Sequence, residues 1–164
     1  MNQDTISRVL NTVREELGST IEYIKGNETI YFYVRGKLVI GCSIVEKIDS
    51  NTKLVRLSSE QTSADLMISN DDTISNKEIS LLSEDTSQKN HPIMGIRQIW
   101  VDQRFRKQKV ANSLVDSARK NFLFGVIIPR DGVAFSQPTS DGQAFGLAYT
   151  GNGSNSKGTI WAYA

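Results

Sequence analysis

The chain has 164 residues, 38% of them apolar and 23% charged, with a formal net charge of +1. A chain near that length buries about 70% of its unfolded surface, enough for one domain with a real core. No apolar run approaches the ~20 residues of a membrane span, the polar start MNQDTISRVL is no signal peptide, and a soluble, intracellular protein is expected.

One cysteine, Cys42, excludes an internal disulfide framework. With a single histidine, His91, a Cys/His zinc site has too few ligands, and no metal is expected. The small net charge hides an asymmetry. Residues 49–88 carry eight acids against three bases, and residues 97–130 carry eight bases against two acids. A basic C-terminal half suits a meeting with an anion; a solvated surface is the plainer alternative.

Ile6, Val9, Leu10, Val13 and Leu17 recur at helical spacing, which predicts a first helix over 4–17 with Gly18 as its C-cap. Two β-rich segments flank Arg35-Gly36-Lys37 and read as a hairpin, 28–35 and 37–46. Cys42 falls among Ile40, Ile44 and Val45, as a buried structural thiol rather than a nucleophile. KLVRLSS is a short strand. Residues 58–90, rich in Ser, Asn, Asp and Glu, are expected to form a flexible acidic insertion or loop.

His91 precedes Pro92 and takes an extended conformation ahead of the next strand, MGIRQIWV. A loop over Arg104–Lys109 and a helix over Val110–Phe122 follow. Gly125–Ile128 and Val133–Phe135 are β-like, and Pro138 stops that run. A short helix spans about 139–149, Gly151–Gly158 is a flexible turn, and TIWAYA closes the chain as a strand. Strands and helices mixed in this order, without repeats, indicate a single α/β or α+β domain.

The loop before Val110 holds Arg104, Arg106, Lys107 and Lys109 within six residues. A strand-loop-helix unit offers an anion unpaired backbone N–H groups and the positive end of the helix dipole. A polyanion such as a pyrophosphate relieves the mutual repulsion of the four cations. Val110, Leu114, Ala118 and Phe122, at four-residue steps, anchor the helix behind them. Other phosphate motifs are missing: there is no G-x-x-x-x-G-K-[ST], and Lys157 in GNGSNSKG is followed by Gly158 rather than Ser or Thr.

Residues 106–111, RKQKVA, resemble the pyrophosphate loop of GNAT-superfamily N-acetyltransferases, Arg/Gln-x-x-Gly-x-Gly/Ala, with Lys109 where that pattern has Gly. The wider string is more specific. GIRQIWV, RKQKVA, DSARKNFLFG, VIIPRDGVAFSQPTSDG and the Tyr149-x-Gly151 ending resemble the cohesion-establishment (Eco/ESCO) acetyltransferases, fungal members above all. The match is strong over about 95–151, looser over the first helix and hairpin, and slight in the acidic middle.

The resemblance implies a GNAT-like mixed β-sheet flanked by helices. It implies transfer of acetyl from acetyl-CoA to lysines on the ATPase head of an SMC subunit of cohesin, during DNA replication, in the nucleus on chromatin. Members usually add a C2H2 zinc finger and a tail that binds the replication sliding clamp. Neither is seen here, so an isolated catalytic domain is implied, with any DNA association indirect and no membrane partner.

By the same resemblance, Ile99, Trp100 and Val101 form the strand that opens to take the acetyl and pantetheine groups, and Val101 or a neighbour supplies the oxyanion N–H. Arg106, Lys107, Gln108, Lys109, Val110, Ala111 and Asn112 wrap the pyrophosphate. Ser136, Thr139, Ser140 and Asp141 contact the cofactor from the next loop. The acceptor amine, with an ordinary pKa of ~10.4, has to lose its proton.

Asp116 stands where the family carries a catalytic acid, as general base directly or through a water. Read on spacing alone it forms an ion pair with Arg119 or Lys120. Gln137 replaces an Asp of vertebrate-like members, so the second carboxylate falls to Asp141 or a water. Arg97, followed by Gln98, replaces a Ser. Tyr149 is a candidate acid for the leaving sulfur, or a core aromatic packed on Phe145. Two rival readings are a nucleic-acid-binding module using the basic loop and helix, and an inactive CoA-binding domain.

Overall fold

The computed structural model describes residues 3–18, 26–58, 91–151 and 159–163. Helix α1 (Gln3–Leu17) leads to the hairpin β1 (Glu28–Arg35) and β2 (Leu38–Lys47), then β3 (Leu54–Ser58). After the acidic segment come β4 (Met94–Val101), α2 (Val110–Asn121), β5 (Val133–Ser136), α3 (Ser140–Gly151) and β6 (Thr159–Tyr163). The six strands form one mixed sheet in the order β1-β2-β4-β5-β6-β3. β4, β5 and β6 run parallel, and β1, β2 and β3 pair antiparallel with their neighbours. The expected mixed sheet flanked by helices is what forms.

Parallel neighbours need crossovers, and α2 and α3 supply them. Both helices share one core: Val115 and Ala118 of α2 meet Ile96, Phe135 and Ile160 of the sheet and Tyr149 of α3. The N-terminal half of α2 is pinned by Val110 and Leu114 against Ile40. Each such aliphatic side chain contributes about 1.5–3 kcal/mol when fully buried. Side chains alternate across a strand, so Trp100 faces away from the α2 contacts of Ile99 and Val101. There it meets α1, whose Val9, Leu10 and Val13 cover Trp100 and Cys42. Cys42 is buried as expected, and burial pushes its thiol up to about 12.

The element bounds match the expectations within two residues, with one correction. Gly125–Ile128 does not join the sheet. It makes one isolated bridge, Leu123 to Val126, around Gly125 at φ +73°. The slot beside β4 is filled by β5, and the Ile128 carbonyl accepts from Arg119 Nε at 2.6 Å instead of from a strand. Ser58 belongs to β3, paired with Thr159. The remainder of the expected acidic loop and the turn after Gly151 lie outside the described residues.

Gly41 lets α2 close on the sheet. A Cβ there would stand 2.8 Å from Val110 Cγ1 and 3.1 Å from Leu114 Cδ1. Gly41→Val is therefore expected to lower the unfolding free energy by about 1–3 kcal/mol through overpacking, although Val is the better strand former. Urea denaturation checks it, and a stabilised variant would refute the close approach.

Candidate active site

β4 and β5 pair from Met94–Val133 only as far as Ile96–Phe135. Beyond that point the two strands part. Gln137 takes a left-handed φ of +34° and gives its N–H to the Tyr163 carbonyl of β6 at 2.9 Å, and Pro138 has no N–H to offer. The end of β5 is thus drawn toward β6, and the outer half of β4 keeps β2 alone as a strand partner.

Backbone direction within this opening follows from one bond. Asp102 donates its N–H to Ile40 of β2 at 3.0 Å, so by alternation Trp100 also faces β2. The N–H and C=O of Ile99 and Val101 then face the gap. Arg106 Nε reaches the Val101 carbonyl at 3.2 Å from that side. A carbonyl-bearing ligand laid in the gap meets two backbone donors on a rigid, half-buried strand.

The turn that follows is basic and strained. A 3-10 turn, Gln103–Phe105, is capped by Asp102, whose carboxylate accepts from the Arg104 backbone and both arms of its guanidinium. That pairing holds Asp102 below the usual carboxylate range and leaves Arg104 partly neutralised. Lys107 and Lys109 both stand at φ +61°. Outside glycine, each left-handed residue costs roughly 1–2 kcal/mol.

Lys109 is the N-cap of α2 without a side-chain cap bond, so N–H groups of the first turn stay open. Only Val110 of this segment is buried; Lys107, Gln108 and Lys109 are exposed, and Ala111 and Asn112 are half-buried. The loop thus brings together backbone donors, the helix dipole and three cationic side chains (Arg106, Lys107 and Lys109) that have no ion pair among the described residues. Lys109, where the pattern of the resembling loop has Gly, adopts a left-handed conformation that favours glycine.

On the far wall, Thr139 caps α3: its Oγ1 accepts from Gly142 N at 3.3 Å and its carbonyl from Gln143 N at 2.8 Å. Ser140 and Asp141 are exposed in the first turn of α3, and Ser136 and Gln137 close β5. The residues predicted to contact the cofactor thus lie at or just after the ends of two neighbouring strands, β4 and β5.

Asp116 lies two turns into α2, its side chain 34% exposed. Its Oδ1 accepts from Arg119 Nη1 at 2.9 Å and from the Tyr149 hydroxyl at 2.5 Å. The ion pair expected from spacing forms, with Arg119 as partner. Arg119 also donates to Tyr149 at 3.0 Å, and Arg130 stands over the Tyr149 ring at 4.7 Å. Tyr149 is buried and stacked on Phe145 at 5.7 Å, as the core reading expected. Burial, then the Asp116 bond, pushes its hydroxyl up to about 12, against the pull of Arg119.

The Arg97 departure has a structural account: its guanidinium is committed to Glu28 of β1, whose side chain is buried. Two site neighbours were missed from the sequence. Glu16 of α1 accepts from the Trp100 indole at 2.7 Å, and Arg35 bonds Gln108 at 3.2 Å. They lie 84 and 73 residues from their partners, and no local pattern announces either.

Residues 90–157 match the family described as ESCO1/2 acetyl-transferase. The N-acetyltransferase ESCO2 of Mus musculus is 30% identical over 146 residues, which is 88% of this chain and 22% of that protein. The N-acetyltransferase eso1 of Schizosaccharomyces pombe is 28% identical over the whole chain and 18% of its own length. The chain thus spans less than a quarter of either relative. The xEco2 acetyltransferase domain bound to a CoA conjugate shares the fold, with a TM-score of 0.69 at 23% identity, over 100% of this chain and 87% of that one.

Two measurements check this geometry. Lys109→Gly removes left-handed strain and is expected to raise ligand-free stability by about 1 kcal/mol in urea denaturation; a loss would refute the strain. Between pH 10 and about 12 the unfolded chain ionises Tyr149 while the folded chain keeps its proton, so stability, fully present below pH 10, falls across that window. Tyr149→Phe should flatten that fall in alkaline unfolding.

Proposed function

We propose that the chain is an Eco/ESCO-type acetyltransferase that carries acetyl from acetyl-CoA to lysine side chains on the SMC ATPase head of cohesin, a reading supported by the family match over residues 90–157 and by the ESCO2 and eso1 relatives. In this reading it establishes sister-chromatid cohesion during DNA replication, in the nucleus on chromatin. The sliding clamp is engaged through other parts of such proteins. The single observation that carries the chemistry is the parting of β4 from β5, with Val101 N–H facing the gap and the cationic turn at its mouth.

The residues present fit acetyl-CoA. Bound there, the carrier supplies an activated thioester; the chain supplies everything else. Val101 N–H, or that of Ile99, donates to the oxygen of the tetrahedral intermediate, where a preorganised donor away from water is worth most. The amide groups of Lys109–Asn112, with Arg106, Lys107 and Lys109, hold the diphosphate against the start of α2. Thr139–Asp141 support the carrier from the opposite lip.

Asp116 takes one proton of the lysine ammonium, directly or through a water, which frees the amine to attack. The nitrogen would then bond the acetyl carbon, the C–S bond would break in a second step, and the remaining extra proton of the nitrogen would pass to the departing sulfur, which leaves as a thiol. Tyr149, protonated at neutral pH, is within reach of Asp116 and orients it. Gln137 holds no proton-accepting group, so its contribution is the backbone bend at the end of β5.

The test is acetyl-CoA-dependent acetylation of a lysine peptide, read by mass spectrometry, in wild type and Asp116→Asn. The variant should lose at least about 100-fold in kcat while its KM for acetyl-CoA stays within about threefold. Absence of transfer by the wild type would overturn the activity, and wild-type turnover by the variant would remove Asp116 from the proton path.

A further inference from the structure

The cationic turn is gripped from outside by a neighbouring hairpin. Arg35 ends β1 beside Gly36, which makes the tight turn at φ +62°. Arg35 Nη1 donates to Gln108 Oε1 at 3.2 Å, and its guanidinium carbon stands 5.2 Å from the centre of the Phe105 ring. Gln108 Nε2 donates in turn to the Arg104 carbonyl at 3.2 Å. An arginine can only donate and a carbonyl only accept, so one orientation of the Gln108 amide satisfies both partners. The Arg104 guanidinium stands 5.7 Å from the centre of the same ring while forked onto Asp102.

Gln108 lies between the two left-handed lysines. Its two bonds, from Arg35 outside the turn and to the Arg104 carbonyl at its start, hold the residue between them on both sides. A turn built from two left-handed lysines needs a restraint of this kind, because their own preference is to leave that conformation. Among the described residues, the Gln108 amide is the one hydrogen-bond partner of the Arg35 side chain.

We infer that Arg35 is a positioning residue for diphosphate binding: through Gln108 it keeps the turn in its binding-competent shape. It raises affinity for a diphosphate carrier by increasing the fraction of molecules ready to bind. The inference rests on the acetyl-CoA reading above. It differs from direct phosphate contact, because the effect of Arg35 passes through Gln108.

The test is a double-mutant cycle of Arg35→Ala and Gln108→Ala, read by calorimetric titration with CoA, dephospho-CoA and pantetheine. Arg35→Ala should weaken CoA and dephospho-CoA alike by about tenfold, or ~1.4 kcal/mol. Pantetheine, which lacks the diphosphate, should change by less than about twofold. In the Gln108→Ala background, loss of Arg35 should add less than about twofold, since the two residues act as a unit.

In turnover, KM for acetyl-CoA should rise while kcat at saturation holds within about twofold. A full penalty in the Gln108→Ala background, or a loss seen with CoA and absent with dephospho-CoA, would make Arg35 a direct ligand and overturn the positioning role. Unaltered CoA affinity in Arg35→Ala would overturn it outright. A wild-type chain that binds no CoA would overturn the acetyl-CoA reading and this inference with it.

Discussion

One backbone hydrogen bond governs the site: the Gln137 N–H to the Tyr163 carbonyl. A parallel pair such as β4 and β5 would otherwise continue laddering. Here the ladder stops at Ile96–Phe135, because the next residues of β5 turn toward β6. Gln137 at φ +34° makes the bend, and Pro138 prevents the chain from donating back to β4. Open backbone groups on a strand are costly when buried and unsatisfied. The gap is therefore a standing demand for a ligand with a carbonyl and amides, the chemistry of pantetheine.

The cationic turn meets a second demand of the same kind. Lys107 and Lys109 bring charge, yet each sits in a conformation that favours glycine. Glycine at position 109 would remove the strain and one cation together. The chain keeps Lys and adds restraints: Asp102 on Arg104, Arg106 on the Val101 carbonyl, and Arg35 on Gln108. Charge that repels itself in the empty turn becomes favourable once an anion is seated. The restraints ensure that little ordering is left for binding to impose.

Much of this was legible in the sequence, for reasons of period and type. MGIRQIWV gave away β4 to the residue, since it is a buried apolar run ended by an acid and a basic loop. Val110, Leu114 and Ala118 marked the buried stripe of α2, all within 2% exposure. Val126, Ile127 and Ile128 misled because β-branched residues favour strands, while membership of a sheet depends on a free neighbour. The bond of Gln137 to Tyr163, the Arg35 clamp and the Trp100–Glu16 pair were not legible. Each joins residues distant in sequence, and pairing of that kind is decided by the strand order.

Asp116 shows how the structural and chemical readings of one residue are joined. Spacing alone offered an ion pair with Arg119 or Lys120, and the resemblance offered a base. The structure places Arg119 and Tyr149 both on Oδ1, and Oδ2 has no hydrogen-bond partner among the described residues. Arg119 cannot follow the carboxylate elsewhere, since its Nε is fixed on the Ile128 carbonyl at 2.6 Å. One oxygen is thereby an anchor, and the other is left without a partner among the described residues, on a side chain that is 34% exposed. A proton acceptor needs that division: an orientation locked by packing, and a lone pair still open to the substrate or its water.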